Sequence, residues 1–242
     1  MREKLDGKDK ERYVNRLFAS IAPKYDLLNS VISLGNHRRW RRTAVAMSGL
    51  GPGGTALDVA TGTGDFALDL ARAVGERGRV VGADFCEPML QLARRKLAGR
   101  PGVELVAANA ECLPFASDTF DCATIGFALR NVASVAAAIA EMARVTRPGG
   151  RVVSLEILGP RSRVLAPVWR LYFFRVVPQL AQVLGGERQA YDYLPESVAG
   201  FYSRDELAGM FRNCGLGNVV VRDLMFGAVC IHVGIKQQHR LL

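Results

Sequence analysis

The sequence predicts an α/β fold around a mostly parallel sheet, because short β-branched runs alternate with helical patterns from about residue 55 onwards. Its 242 residues, 49% of them hydrophobic, suffice for one sizeable domain and not for a second full one. Two strands near 218–225 and 227–236 are joined by so short a link that they must pair antiparallel. We therefore predict a single domain over residues 1–242 with an antiparallel last strand.

The elements follow in order from strand runs and from helix start and stop signals. The earlier strands are predicted at 55–60, 79–84, 103–107, 120–127 and 151–158, and the helices between and after them at 66–74, 88–98, 134–146 and 204–214. Gly75 caps the first of these helices, Pro88 opens the second, and Arg147-Pro-Gly-Gly150 is a turn that feeds the fifth strand. Residues 1–50 are predicted to be a helical segment that contributes to the substrate site and its lid, and residues 159–200 a helical insertion.

The composition bears on where in the cell the protein is located and on whether it has disulfides or metal sites. The first 12 residues alternate acids and bases without an apolar run, which fits neither a secretory signal nor a transit peptide and favours the cytoplasm. The apolar stretch 164–184 is interrupted by prolines and arginines, which disfavour a membrane-spanning helix. Five cysteines without CxxC spacing are typical of buried free thiols, so we expect no disulfide and no metal site.

The formal charge of +9 favours polyanionic partners, either nucleic acid or an anionic lipid surface. The densest basic cluster, residues 37–42, is equally consistent with a solvated helix face and with a binding surface. Trp40, embedded in that cluster, slightly favours an interface.

A glycine-rich loop, Asp58-Val-Ala-Thr-Gly-Thr-Gly-Asp65, follows the first strand, at the edge where an open α/β sheet binds its ligand. Gly62 and Gly64 allow close approach to the backbone, and together with Ala67 they also satisfy the dinucleotide pattern, so a nicotinamide or flavin stays open here. Asp58 and Asp65 favour a cationic sulfonium cofactor over a pyrophosphate, which binds helix N-termini free of acids. Asp65 is otherwise expected to be the N-cap of the next helix.

Polar residues also end the next two strands. Asp84 is placed to accept hydrogen bonds from both ribose hydroxyls of a nucleoside. Asn109 and Ala110 offer a side-chain amide and a backbone N–H to an adenine edge, although Asn109 alone is as easily a turn residue. Together with the acidic loop, Asp84 favours S-adenosylmethionine over a dinucleotide.

Five segments, in order, closely resemble the menaquinone/ubiquinone biosynthesis C-methyltransferases: YDLLNSVISLGNHRRWRR from Tyr25, ALDVATGTGDF from Ala56, VVGADF from Val80, AANAECLPFASDTFDCATIGFALRNV from Ala107 and RPGGRVVSLEI from Arg147. The resemblance spans nearly the whole chain. It implies the Rossmann-like class I S-adenosylmethionine-dependent methyltransferase fold, with a seven-stranded, mostly parallel sheet and a helical lid insertion.

By position, the resemblance also implies that Thr63, Asp84, Asn109 and Ala110 contact S-adenosylmethionine and that residues 127–131 flank the reacting quinol. The implied reaction is C-methylation of a polyprenyl quinol, demethylmenaquinol to menaquinol, with 2-polyprenyl-6-methoxy-1,4-benzoquinol of ubiquinone biosynthesis as the alternative. Two positions depart from the family pattern: Ala128 replaces the usual glycine, and Gly126 stands where some members, chiefly those serving ubiquinone, place a serine that contacts the cofactor. The second departure favours the menaquinone branch.

Methyl transfer to an aromatic carbon needs an electron-rich ring, so the expected substrate is the reduced hydroquinol, and no metal is required. Arg130 is the candidate to stabilise developing phenolate charge, because a guanidinium stays charged and is a rigid donor. The residues alone would favour Arg130 as a surface cation paired with an acid, and the resemblance reverses that preference. Asn131 and Tyr25 are candidate orienting residues, and Tyr25 is also a candidate proton relay.

Residues 160–186 are rich in aromatic side chains, a pattern that usually indicates core packing or a dimer face. We predict instead a lid and an apolar groove for the prenyl tail, with arginines reaching lipid phosphates. Charged substitutions at Phe173 and Phe174 are then expected to weaken liposome binding. The expected partners are a polyprenyl quinol and, transiently, the inner face of the cell membrane, with a homodimer left open and no nucleic acid.

Three other classes of function stay open at this stage. A nucleic-acid methyltransferase fits the basic charge, but Gly126-Phe-Ala-Leu129 replaces the Asn/Asp-Pro-Pro-aromatic box of exocyclic-amine enzymes. A dinucleotide oxidoreductase is disfavoured by the acids of the loop. A non-catalytic scaffold that binds the cofactor without turnover is disfavoured by the intact loop and FALRN segment.

Overall fold

The structure, a computed structural model, describes residues 7–183 and 188–238. Its sheet has seven strands in the order β3-β2-β1-β4-β5-β7-β6. The first five strands pair in parallel, and β7 pairs antiparallel with both β5 and β6. The strands are β1 Thr55–Val59, β2 Arg79–Asp84, β3 Val103–Ala107, β4 Phe120–Gly126, β5 Thr146–Ile157, β6 Leu216–Leu224 and β7 Val229–Lys236. The predicted mostly parallel sheet with an antiparallel last strand is confirmed.

Helices precede, connect and follow the strands. They are α1 Gly7–Ile21, α2 Tyr25–Ile32, α3 His37–Met47, α4 Asp65–Val74, α5 Glu87–Lys96, α6 Val135–Val145, α7 Ala166–Leu171, α8 Val177–Val183, α9 Arg188–Ala199 and α10 Arg204–Asn213. A π-helical turn, Tyr172–Val176, joins α7 to α8 within the segment predicted as a helical insertion. Residues 1–6, 184–187 and 239–242, which belong to the predicted domain, its N-terminal segment and its insertion, lie outside the described residues.

The sheet is covered on both faces, as the burial of consecutive residues in β1, β2 and β4 requires. On one face Leu57 and Ile125 pack against α6 and α10, through residues such as Ile139 and Phe211. On the other face strand residues pack against α3, α4 and α5, where Leu70 is fully buried. This leaves the carboxyl ends of the parallel strands as the edge from which loops can form a site.

Two local predictions are wrong. Arg147–Gly150 was expected to be a turn before β5, but β5 begins at Thr146, which pairs with Phe120 of β4. The register then shifts so that Cys122 pairs with Arg151, and the Pro-Gly-Gly sequence is an irregularity within the strand. Asp65 is not the N-cap of α4, because Gly64 in the left-handed conformation takes that position and Asp65 is the first helical residue.

Two further predictions concern the burial of the cysteines and whether a helix could cross a membrane. Cys86, Cys122 and Cys230 are buried free thiols as predicted, whereas Cys112 is exposed and Cys214 is half-buried. Among the described helices, none is both long and apolar enough to cross a membrane.

Candidate active site

Two cavities lie beside the carboxyl ends of β1, β2 and β4, where the sheet order reverses between β1 and β4. The smaller cavity occupies about 760 Å³ and the larger about 1300 Å³, counting space open to solvent. Both are lined by the same four side chains, Phe18, Tyr25, Phe127 and Asn131. The two cavities therefore meet, and a ligand in one can contact a ligand in the other.

Backbone strain marks the place where they meet. Ala60, directly after β1, has φ 52°, and Phe127, directly after β4, has φ 57°. Residues with side chains adopt this left-handed region at a cost, and such residues cluster at functional sites. Both residues line the smaller cavity, so the strain is held at the wall of the site.

The smaller cavity is lined by a carboxylate, a side-chain amide and nearby backbone groups. Asp84 accepts hydrogen bonds from the backbone N–H of Gly62, at 2.7 Å, and of Cys86, at 2.8 Å. Burial raises the pKa of Asp84 above its ordinary value. Asn109 accepts a hydrogen bond from Glu111 N at 2.9 Å, and Ala110 lines the same cavity. Four residues predicted to bind the cofactor, Gly62, Asp84, Asn109 and Ala110, are thus brought together.

The structure does not bring the other three predicted cofactor-binding residues to the smaller cavity. Asp58 is 1% exposed and accepts hydrogen bonds from Thr61 and Thr124, at 2.6 and 2.8 Å, behind the loop. Thr63 donates its hydroxyl proton to Asp26 at 2.6 Å, away from that cavity. Gly64 packs against the end of α5, where an added Cβ would lie 2.8 Å from Cδ1 of Leu97, the residue that follows the helix. Asp58 and Thr63 instead line a third cavity, which shares Gly62, Tyr25, Gly126 and Phe127 with the smaller one.

Asp65, the last residue of the loop, is neutralised by cations of the chain itself. Asp65 forms ion pairs with Arg41 at 3.0 Å and with Lys96 at 2.7 Å. Arg41 also pairs with Asp69 at 3.1 Å, and only 11% of its side chain is exposed. Part of the basic cluster 37–42 is therefore buried and supports the loop. The sequence predicted either a solvated helix face or a binding surface for this cluster, and neither prediction describes Arg41. Asp84 lines the smaller cavity, whereas Asp58 and Asp65 do not.

The buried carboxyl of Asp58 provides a test by pH. Desolvation raises its pKa from 3.8 to about 7, so the fold favours its protonated form. This contribution to stability is complete below pH 3.8 and is lost as the pH rises to about 7. Because Asn mimics the protonated acid, we expect Asp58→Asn to gain stability relative to the unmodified protein between pH 4.5 and 8, by about 3 kcal/mol. Urea unfolding of both proteins at the two pH values measures this gain. The same dependence of unfolding free energy on pH in the two proteins would contradict the prediction.

A buried ion pair lies at the edge of the larger cavity, which is lined by its arginine and not by its glutamate. Arg130 Nη1 lies 2.9 Å from Glu156 Oε2, and their side chains are 7% and 0% exposed. Glu156 also accepts a hydrogen bond from Leu129 N at 2.7 Å. Desolvation raises the pKa of Glu156, and the neighbouring Arg130 opposes that rise. Arg130 is therefore paired with an acid, as the residues alone suggested, but inside the site and not at the surface.

Tyr25 and Asn131 lie where the two cavities meet. Burial raises the pKa of the Tyr25 phenol above its ordinary value, against the opposing effect of Arg130. Asn131 accepts a hydrogen bond from the Tyr193 hydroxyl at 3.1 Å. The three predicted catalytic residues, Arg130, Asn131 and Tyr25, therefore line one cavity together.

The insertion covers the larger cavity with aromatic side chains. Trp169 and Phe173 stack with ring centroids 4.7 Å apart, and the Tyr172 hydroxyl donates to Ile32 O at 2.8 Å. Phe173 is only 3% exposed, so it packs inside the lid and offers no surface to a membrane. Phe174, which is 36% exposed, remains available at the outer surface.

Several lining residues were missed by the sequence reasoning. Phe85 follows Asp84 at the end of β2, and an aromatic residue at that strand end was a signal that could have been used. Glu11 of α1 accepts a hydrogen bond from Asn109 Nδ2 at 3.3 Å, a contact that no local pattern predicts. His37 lines the larger cavity although it was read only as part of a basic cluster.

The smaller cavity fits the nucleoside half of a cofactor, since a strand-end carboxylate and an adjacent amide face the space outside a glycine-rich loop. Within the described residues, no three His, Cys, Asp or Glu side chains are grouped to hold a metal ion. The fold and this site define a class I S-adenosylmethionine-dependent methyltransferase.

The chain belongs to the ubiE/COQ5 methyltransferase family, whose profile matches residues 6–236. It is 42% identical to the demethylmenaquinone methyltransferase of Shouchella clausii, over 95% of this chain and 99% of that protein. It is 44% identical to the demethylmenaquinone methyltransferase of Roseiflexus castenholzii, over 94% and 95%. It is 43% identical to the ubiquinone/menaquinone biosynthesis C-methyltransferase UbiE of Geobacter sulfurreducens, over 94% and 90%.

Solved structures agree on the fold. An S-adenosylmethionine-dependent methyltransferase from Thermotoga maritima matches with a TM-score of 0.63 at 20% identity, covering 93% of this chain and all of that one. One from Aquifex aeolicus matches with a TM-score of 0.59 at 20% identity, covering 81% and 89%. The predicted fold, cofactor and class of enzyme are thus confirmed.

Proposed function

We propose that this enzyme transfers a methyl group from S-adenosylmethionine to a ring carbon of demethylmenaquinol, in menaquinone biosynthesis. The observation that carries the proposal is the larger cavity, an apolar space that meets the smaller, nucleoside-sized cavity at Tyr25 and Asn131. Its walls are mostly aliphatic and aromatic, including Leu17, Leu28, Ile32, Trp169 and Phe173. Such a lining suits a prenyl tail, and polar groups at the junction suit the quinol head.

The bound cofactor supplies an electrophilic methyl group on a sulfonium, and the protein supplies position and charge. Tyr25 and Asn131 lie at the junction and can fix the ring against the smaller cavity. Arg130, held by Glu156, keeps a positive charge beside the place where phenolate character develops. Because the attacking carbon must be electron-rich, the reduced quinol reacts and the oxidised quinone does not.

The names of the relatives bear on the head group. The relatives from Shouchella and Roseiflexus are both named demethylmenaquinone methyltransferases, which supports the naphthoquinol. A Cβ added at Gly126 would lie 2.9 Å from Phe66 Cδ1, a buried side chain of α4, so a serine there would require Phe66 to shift. Gly126 lines the smaller cavity, so this crowding concerns the cofactor side of the site.

Radiolabelled S-adenosylmethionine tests the proposal directly. Demethylmenaquinol and 2-polyprenyl-6-methoxy-1,4-benzoquinol are each presented in detergent, with dithionite and without it. We expect label in the naphthoquinol only under reduction, and less label in the benzoquinol. Label in neither, despite measurable cofactor binding, would contradict the proposal and direct the search to RNA, which a gel shift would detect.

We also propose that the lid docks on an anionic membrane surface to collect its lipid substrate. Exposed apolar side chains surround the larger cavity's lid: Leu34 is 75% exposed, Val164 82% and Val168 67%. Exposed arginines, Arg163 and Arg170, lie between and beside these residues. Apolar side chains flanked by cations complement a bilayer of anionic lipids.

Sedimentation with vesicles containing phosphatidylglycerol tests the docking surface. We expect the double variant Val164→Glu/Val168→Glu to bind about tenfold more weakly or worse, because it replaces apolar burial with charge repulsion. Val220→Glu is the matched control, since Val220 is 53% exposed on β6, the edge strand. Equal losses in both variants, or none in the double variant, would contradict the assigned surface.

A further inference from the structure

We infer that His37 is the base that accepts the phenol proton of the quinol, an inference that rests on the proposed quinol methylation. His37 is the first residue of α3 and is 4% exposed. It lines the larger cavity together with Tyr25, Asn131 and Arg130. It does not line the smaller cavity, so it belongs to the quinol side of the site.

The hydrogen bonds of Ser33 fix the tautomer of the imidazole. The Ser33 hydroxyl lies 2.6 Å from Asn29 O, to which it donates its single proton. The same oxygen lies 2.7 Å from His37 Nδ1, so it must accept the Nδ1 proton. In the neutral ring this leaves the lone pair on Nε2.

Nε2 is available to a ligand. None of the described residues forms a hydrogen bond with Nε2. Some described residues have buried polar atoms without a hydrogen-bond partner, but Nε2 is not one of these, so it is not fully buried. Because the ring lines the larger cavity, Nε2 keeps access to that space. A free lone pair at the wall of an apolar cavity is what a general base requires.

The surroundings keep the imidazole neutral. Burial, followed by the neighbouring Arg41, lowers the pKa of His37 below 6.5. The N-terminus of α3 also disfavours a cation there. The charged and titratable groups that face His37 or share its cavity are Tyr25, Asp26, Arg38, Arg41, Asp65, Arg130, Tyr172 and Tyr193.

The other candidates for proton acceptor are poorer. The Tyr25 phenol has a raised pKa, which makes it a proton donor near neutral pH. Arg130 is held as a cation by Glu156, and the amide of Asn131 is not a base. No Asp or Glu side chain lines the larger cavity among the described residues.

The proton balance of the step is simple. As the ring carbon forms its bond to the methyl group, the carbon–sulfur bond breaks and its electron pair stays on sulfur. His37 Nε2 removes the phenol proton, and the ring becomes a dienone with one hydrogen and one methyl on the same carbon. That ring proton is then lost to water, His37 returns its proton to the oxygen, and the methylated quinol and neutral imidazole are restored.

The variant His37→Asn tests the inference, because the Asn amide can still donate to Ser33 but cannot act as a base. We expect kcat to fall about 100-fold, with little change in KM for the quinol. The acid limb of the pH–rate profile, set by His37 in the unmodified enzyme, should disappear. Ser33→Ala, which keeps the imidazole but no longer fixes its tautomer, should lower kcat about fivefold. Affinity for S-adenosylhomocysteine is measured for each variant and should stay unchanged, since neither residue lines the smaller cavity.

Imidazole ¹⁵N NMR of the unmodified protein gives a readout besides turnover. The His37 signals are assigned by comparison with the spectrum of His37→Asn or, if that variant does not fold, with the spectrum of Ser33→Ala. A proton on Nδ1 and a pKa below 6.5 support the inference. A proton on Nε2, or a His37→Asn enzyme with unchanged kcat and an unchanged acid limb, would overturn it. If the unmodified enzyme itself transfers no methyl group to any quinol, the proposed function fails first, which separates the two outcomes.

Discussion

Replacing Arg130 by methionine is expected to lower kcat for quinol methylation about 100- to 1,000-fold, because the variant loses the fixed cation that stabilises developing phenolate charge. Arg130 lines the larger cavity and pairs with Glu156 at 2.9 Å. The loss should appear in kcat more than in the KM for the quinol, since that charge develops mainly in the transition state.

The single variant also leaves Glu156 buried without its partner, which we expect to cost about 3–5 kcal/mol of stability. The double variant Arg130→Met/Glu156→Gln removes both charges and should recover most of that stability while staying inactive. Unfolding in urea and turnover, measured on the same samples, separate the two effects. Recovery of activity together with stability would contradict a role for the Arg130 charge in the reaction.

Replacing Asp84 by asparagine is expected to weaken binding of S-adenosylhomocysteine about 100-fold. Asp84 faces the smaller cavity, and each of its carboxylate oxygens also holds one backbone N–H of the surrounding loops. An amide cannot accept at both positions, so both the loop geometry and the hydrogen bonds to ribose hydroxyls suffer. Hydrogen bonds to a charged group contribute about 1.5–3 kcal/mol each, which sets this magnitude. Isothermal titration calorimetry measures the change.

Asp58→Asn is the matched control, because Asp58 is buried behind the loop and its pKa lies at about 7. We expect its affinity for S-adenosylhomocysteine to stay within about threefold of the unmodified enzyme, since Asn mimics the protonated carboxyl and replaces hydrogen bonds of modest net energy. Equal losses in both variants would contradict the view that the strand-end carboxylate, and not the acidity of the loop, selects the cofactor.

The cofactor was predicted correctly from the sequence, but partly for a reason that the structure does not support. The acids Asp58 and Asp65 were expected to face a cationic ligand, whereas one is buried and the other is paired with Arg41 and Lys96. The local sequence pattern predicts which residues follow a strand. The partners of a charge are set by helices that are distant in sequence, and no local pattern contains them.

The same distinction explains which parts of the fold were predictable. The strands follow from local alternation and turn residues, and the seven-stranded methyltransferase fold followed from the resemblance. The start of β5 was misjudged because Pro148, Gly149 and Gly150 indicate a turn, while pairing of Thr146 with Phe120 overrides that preference. His37 was missed as a site residue because its function depends on Ser33 and on the cavity, and not on its neighbours in the basic cluster.

The central claim is that the smaller cavity holds the cofactor and the larger one the quinol, with the ring at their junction. A crystal structure with S-adenosylhomocysteine and menaquinol bound together tests it most directly. We predict the ribose hydroxyls at Asp84, the quinol ring between Tyr25 and Asn131, and the prenyl chain under Trp169. A quinol ring outside the larger cavity, or a cofactor remote from Asp84, would contradict the account.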